Sequence, residues 1–252
     1  MLRHRKCSVF GKRCCKPGKT LHDGGMIEHP SPNHNERRLG PVQHLILHYT
    51  GMPNCEAALQ RLCDPSSEVS AHYLVKDNGE VVQMVAEDRR AWHAGKAFWD
   101  GIMDINSTSI GIEICNPGHE FGYRAFSHDQ ILSVMELCQG ILSRHKILPH
   151  NVLGHSDIAP TRKRDPGEFF PWERLAEQKI GLFPPYNIAG HMADGLPATA
   201  LRGYGYATDD LTATITAFQR HFRPDKINGE WDDDCGMRLM WLLDQRAVTD
   251  IG

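Results

Sequence analysis

The sequence predicts an α/β protein: a central mixed β-sheet flanked by helices, followed by a small all-α C-terminal helical module. Three observations carry this. Short strand patterns rich in Ile, Leu and Val, among them QHLILHY (Gln43–Tyr49) and SIGIEIC (Ser109–Cys115), recur through the first part of the chain. Helical patterns lie between them, and Ser127–Arg144 is the longest. Beyond Phe183-Pro184-Pro185 and the Gly-rich stretch to Gly205, the apolar residues follow helical spacing. Residues 1–40 read as an N-terminal extension, 41–184 as the main domain and 198–252 as the helical module.

In chain order, residues 1 to about 40 are charged and rich in Gly, Pro and Asn, with no apolar period, and His29-Pro30-Ser31-Pro32-Asn33 reads as extended or turn chain. The Leu45-Ile46-Leu47 centre of the first strand suits burial on both faces. Asn54 can cap a helix over Cys55–Leu62, with Ala58, Leu59 and Leu62 on one side. Val69–Val75 is a further strand, Asp77-Asn78-Gly79 a hairpin turn, and Glu80–Val85 its returning partner. Ala91–Gly95 follows in a loop. In Ser109–Cys115, Ile110, Ile112 and Ile114 share one face, Gly111 and Glu113 the other. Ser127 caps the long helix, whose stripe is Ile131, Val134, Met135, Cys138, Ile141 and Leu142. Val152-Leu153 is a short strand feeding the loop GHSDIAPTRKRDPG, Gly154–Gly167, where Pro160 and Pro166 argue against a helix. Pro171–Gln178 suits a helix with Pro in its first turn. Asp209 or Asp210 caps a helix carrying Leu211, Ile215, Phe218 and Phe222, and Asp232–Gln245 makes another. So short a module cannot bury much core alone, so it should pack on the larger domain.

The 252 residues are 40% hydrophobic and 23% charged, with a net charge of -3, an ordinary balance that makes no case for nucleic acid. No run of apolar residues is long enough to span a membrane. The basic N-terminus lacks the apolar core of a signal peptide. None of the 8 cysteines has C-x-x-C spacing, and most read as free thiols, which leans toward a reducing compartment.

The chemistry gathers on the loop after Gly154. His155 and Asp165 can curl toward one point, and His48, at the C-terminal end of a buried strand, supplies a third donor. Two imidazoles and a carboxylate leave one tetrahedral position open, the arrangement of catalytic rather than structural zinc, which acidifies a bound water to a pKa of about 7. Glu113, the one charge in an isoleucine strand, can be a solvent-facing edge residue or a proton acceptor beside the metal. Its small neighbour Gly111 would leave room for a ligand. Lys163 can be a solvated charge or, if extended chain turns it to the same side as Asp165, a donor to a developing oxyanion.

Five motifs, ILHYTG (Ile46–Gly51), SAHYLV (Ser70–Val75), WHAG (Trp92–Gly95), SIGIEICNPG (Ser109–Gly118) and GHSDIAPTRKRDPG, together resemble the type 2, zinc-dependent N-acetylmuramoyl-L-alanine amidases over about residues 40–180. The resemblance implies zinc on His48, His155 and Asp165, Glu113 as catalytic acid/base and Lys163 as transition-state stabiliser. It places His72, Tyr73, Trp92 and His93 near the substrate cleft, although His72 and Tyr73 can equally be strand core. A third ligand that is Asp165 rather than cysteine is similar to the bacterial branch that includes cell-wall recycling enzymes. ITAFQRHFRPDKINGEWD (Ile215–Asp232) resembles the three-helix peptidoglycan-binding module. The implied partner is peptidoglycan or a muropeptide. The implied reaction is attack on the lactyl carbonyl of muramic acid, with Glu113 carrying the proton to the L-alanine amine. A peptidoglycan sensor with an inert cleft is the rival, and sensors of this fold typically lose a zinc ligand. A metalloprotease would call for an H-E-x-x-H helix, which the sequence lacks. A wall-binding module points to the periplasm or envelope and the free thiols to the cytosol. Oligomeric state is not legible.

Overall fold

The computed structural model describes residues 26–186, 188 and 197–250, so the basic N-terminal tail lies outside the described residues. The segment after it carries no apolar period, yet it is drawn into the fold. Strand β1 (Ile27–Glu28) adds to a sheet edge, and β2 (His34–Glu36) forms a separate two-stranded ribbon. Polar side chains hold this segment. Asn33 Nδ2 donates to the carbonyls of Asp64 and Val69, and the Arg37 guanidinium donates to those of Glu87, Ser107 and Ser109.

Strand β3 (His44–Tyr49) is followed by α1 (Cys55–Cys63), whose first turn is capped by the Asn54 side chain on Ala57 N. β4 (Tyr73–Val75) and β5 (Val81–Gln83) are the expected hairpin, antiparallel and shorter than the sequence pattern. β6 (Arg89–Ala91) pairs with β2. A turn of helix, α2 (Ile105–Thr108), leads directly into β7 (Ser109–Ile114). After α3 (Gly118–Phe121) comes the long α4 (His128–Arg144), capped by Ser127 on Gln130 N. Strand β8 (Val152–Gly154) runs without a break into α5 (His155–Ile158). That single turn corrects the helix-free reading of the loop. It ends one residue before Ala159, which Pro160 excludes from helical geometry. α6 (Trp172–Glu177) precedes α7 (Pro197–Tyr204), which the Gly-rich stretch around it had hidden, then α8 (Leu211–Phe222) and α9 (Asp233–Asp250).

The main sheet is mixed, in the order β1-β5-β4-β7-β3-β8, with β3 parallel to both β7 and β8. Alternation along β3 divides the core. Leu45 and Leu47 join Ile110, Ile112 and Ile114 against Ile131, Val134 and Ile141 of α4. Ile46 faces the other way, with Leu153 and Ile158, into a core shared with Tyr204, Phe218, Phe222 and Leu239 of the C-terminal helices. The module therefore uses the sheet as part of its own interior, as its small size requires. Elsewhere on that second face Leu74 packs against Leu59 and Leu62 of α1. Between α1 and the C-terminal helices the sheet face is left open, and His48 and Glu113 lie there.

Cys55 and Cys115 form a disulfide across a sequence separation of 60, tying α1 to the end of β7, while Cys63, Cys138 and Cys235 are free. The free-thiol reading is corrected for that pair, which has no local spacing signature. Among the described residues no helix is long and apolar enough to cross a membrane.

Candidate metal centre

The strand register builds the centre. β8 lies beside β3 with Gly154 opposite Leu47, so the next residue on each strand, His155 and His48, is adjacent. The loop then returns. Arg162 N and Lys163 N donate to Ala159 O, the Arg162 guanidinium holds the carbonyls of Ala94 and Lys96, and Ser156 N donates to Asp165 O. This folds Asp165 back over the two histidines. His48 Nδ1 lies 2.9 Å from His155 Nδ1, and Asp165 Oδ2 lies 3.0 Å from each. All three residues are buried.

These donors fit a metal ion. The Ala94 carbonyl, which can only accept, lies 3.0 Å from His155 Nε2, which therefore donates to it and leaves Nδ1 as the atom that faces the centre. Burial, and then the neighbouring His155, lowers His48 to about 4, leaving it neutral. Burial raises the Asp165 carboxyl, but His155 and His48 outweigh it and hold the group well below its ordinary range, as a carboxylate. Lone pairs that converge out of water call for a cation between them.

Glu113 pairs with His48 across β3 and β7, in the interior of the sheet, which removes the edge-strand reading. Among the described residues its Oε2, which is buried, has no hydrogen-bond partner. Burial, and then the charge of Asp165, raises its carboxyl well above 4.5 against the opposing pull of Lys163. A carboxyl raised in this way is suited to take up a proton and return it. Glu113, Lys163, His155 and Asp165 line one cleft of ≈ 600 Å³, walled by Arg61 and Leu62 of α1 on one side and by Trp92 and His93 on another. Arg162 and Arg164 line it too, so the loop does not sort its charges by simple alternation. Gly111 does not leave space for a ligand: a Cβ there would meet the His93 ring at 2.5 Å, so the room is taken by that imidazole.

Trp92 and His93 therefore reach the cleft, but His72 and Tyr73 do not line it. His72 Nδ1 accepts from Gly111 N while Nε2 donates to Arg89 O, and burial followed by the Arg37 charge lowers its pKa to about 3. Tyr73 is on the opposite sheet face, its hydroxyl donating to Glu87. Neither therefore lines the cleft: Tyr73 belongs to the core on the α4 side, and His72 shares the sheet face of Glu113 but is buried beside the His93 ring, an order of packing that alternation along the strand does not show.

Sequence reasoning missed Asp157, which lies wholly out of solvent. Its carboxylate accepts from Gly154 N, the Tyr206 hydroxyl and His221 Nδ1, each at 2.7 Å. His221 is stacked between Trp172 and Phe222, so the C-terminal helices brace the turn that carries His155. The signal available was an Asp in the first turn after a strand, placed to cap it. Tyr206→Phe is expected to lower unfolding free energy by about 1–3 kcal/mol, the cost of a carboxylate deprived of a buried donor. Urea denaturation measures it, and an unchanged midpoint would show the brace idle.

These features define a class first: an α/β protein with a buried His–His–Asp centre and an unpaired carboxyl at the C-terminal ends of parallel strands. The profile of the Amidase_2 family, N-acetylmuramoyl-L-alanine amidase, matches residues 38–168, and the chain belongs to that family. It is 39% identical over 219 residues to N-acetylmuramoyl-L-alanine amidase AmiD of Escherichia coli (strain K12), covering 76% of this chain and 78% of that protein. The 1,6-anhydro-N-acetylmuramyl-L-alanine amidase AmpD of Haemophilus influenzae is 33% identical over 61% of this chain and 91% of its own length. Among solved structures, E. coli AmiD in complex with the substrate anhydro-N-acetylmuramic acid-L-Ala-D-gamma-Glu-L-Lys superposes with a TM-score of 0.72 at 33% identity, covering 91% of this chain and 96% of that one.

Proposed function

We propose that this amidase holds zinc on His48, His155 and Asp165 and hydrolyses the bond between the lactyl group of N-acetylmuramic acid and L-alanine, with anhydro-muropeptides in its substrate range. One observation carries the reading: three buried donor atoms about 3 Å apart converge beside a carboxyl that has no partner of its own. Bound there, zinc would supply Lewis acidity to water and to the substrate carbonyl. Glu113 takes the proton of water as it adds to the lactyl carbonyl. It then returns that proton to the alanine nitrogen as the C–N bond breaks, a transfer its raised pKa suits. Lys163, on the same cleft, is placed to donate to the carbonyl oxygen as it becomes anionic. Trp92 offers an apolar face to the substrate. The anhydro-sugar range is supported by the names of the AmpD relatives and by the ligand of the AmiD complex.

The C-terminal helices belong, on this reading, to the peptidoglycan-binding type. Their inner face is committed to the shared core, so glycan would meet α8 on the outside. There a groove lined by Thr212, Thr216 and Arg220 runs into His119 and Arg164 beside the cleft. The test is digestion of an anhydro-muropeptide and of polymeric peptidoglycan side by side, with products resolved by mass. Release of free peptide from the anhydro-muropeptide, abolished by a chelator and restored by zinc, is the expected result. Chelator-resistant release would overturn the zinc, and cleavage confined to polymer would overturn the anhydro-sugar range.

A further inference from the structure

We propose that His93 is a positioning residue that fixes the tautomer of the metal ligand His48, and that Ser109 sets the state in which His93 does so. The inference rests on the zinc reading of the centre. A single hydroxyl proton orders the network. Ser109 Oγ lies 2.6 Å from the carbonyl of Ile105, which can only accept, so the hydroxyl proton is committed there. Ser109 Oγ is also 3.0 Å from His93 Nε2 and must accept from it, so the neutral His93 ring carries its proton on Nε2. Its Nδ1 is then bare, 3.0 Å from His48 Nε2, and accepts the His48 proton. His48 is left with a lone pair on Nδ1, the atom that faces His155 and Asp165.

The alternative is close at hand. Asp165 Oδ2 accepts hydrogen bonds and sits 3.0 Å from His48 Nδ1. Without an acceptor at Nε2, the His48 proton would favour Nδ1, paired to Asp165, and the ligand atom would be blocked. His93 removes that choice before a metal arrives.

The fold builds a seat for this ring. Gly111 leaves the space it occupies, since a Cβ would lie 2.5–2.6 Å from three of its atoms. Asn106 Oδ1 accepts from the backbone N–H groups of His93 and Ala94, and Arg37 holds the Ser109 carbonyl. Both His93 nitrogens are engaged, by Ser109 and by His48, so neither is free for substrate although the ring edge reaches the cleft.

The test measures zinc affinity of the full chain by competition with a chromophoric chelator. His93→Phe keeps an aromatic ring in the seat and removes the acceptor. It is expected to weaken zinc by about 10–100-fold. His93→Asn places an amide oxygen near the Nδ1 position and should recover part of the loss. Ser109→Ala, a smaller change, should weaken zinc by about 10-fold. In ¹⁵N-labelled, zinc-bound wild type, His48 should show a hydrogen-bonded Nε2 proton, shifted upfield in His93→Phe. Zinc affinity within twofold of wild type in His93→Phe, with KM raised instead, would overturn the proposal and make His93 a substrate contact. If His93→Phe does not fold, unchanged zinc affinity in Ser109→Ala would overturn it equally.

Discussion

Glu113→Gln is expected to retain zinc and to lose turnover by about 10²–10⁴-fold, the range set by removal of a general acid–base group. The amide keeps the shape of the side chain beside His48 and cannot accept the proton of the attacking water. Elemental analysis with single-turnover kinetics checks it, and near wild-type kcat would remove Glu113 from the reaction. The same substitution has a signature in stability. Burial, and then Asp165, raises the Glu113 carboxyl well above 4.5, so the folded chain binds this proton more tightly than the unfolded chain does. Its contribution is fully present below about pH 4.5 and is lost as pH rises through the folded value. In metal-free protein, wild type should therefore lose melting temperature relative to Glu113→Gln as pH is raised from 4 to 8. A constant difference between the two would show that Glu113 is not held protonated by its surroundings.

Asp165→Ala is expected to abolish stable zinc binding. It removes the sole carboxylate donor among the three and leaves two imidazole nitrogens 2.9 Å apart. The loss should exceed the roughly 10–100-fold seen when an outer partner of a ligand is removed. Activity should fall with it and not recover at modest added zinc. Dialysis followed by elemental analysis checks the metal content. A full complement of zinc in Asp165→Ala would transfer the third ligand to another residue of the cleft.

How far these sites could be read in advance differs residue by residue. His48, His155 and Asp165 were legible because each stands at a punctuation point: a strand end, a strand-to-loop junction, an Asp-Pro step. Polar residues at such points are unexplained by core packing. Glu113 was legible as a charge interrupting an apolar alternation. The long helices were legible from their stripes and caps, Asn54 and Ser127 among them. Strands of two or three residues at 27–28 and 34–36 were not, because they are specified by partners far along the chain and carry no period of their own. The Cys55–Cys115 bond escaped for the same reason.

Residue order and local pattern pointed to an α/β chain and to two histidines and an aspartate as candidate donors, and left Glu113 between solvent and cleft. Hydrophobic periodicity, turn chemistry and ligand type are properties of neighbouring residues. What they could not supply was orientation across the fold. Gly111 is small on account of the His93 ring, not a ligand. Tyr73 turns to the opposite sheet face, His72 is packed beside the His93 ring without lining the cleft, and the C-terminal helices share the core beneath it. The protons on His48 and His93 follow from acceptors at Ile105 and Ser109, more than 50 residues from His48 in sequence. Such assignments depend on which atoms meet within about 3 Å, and only the packed chain brings those atoms together.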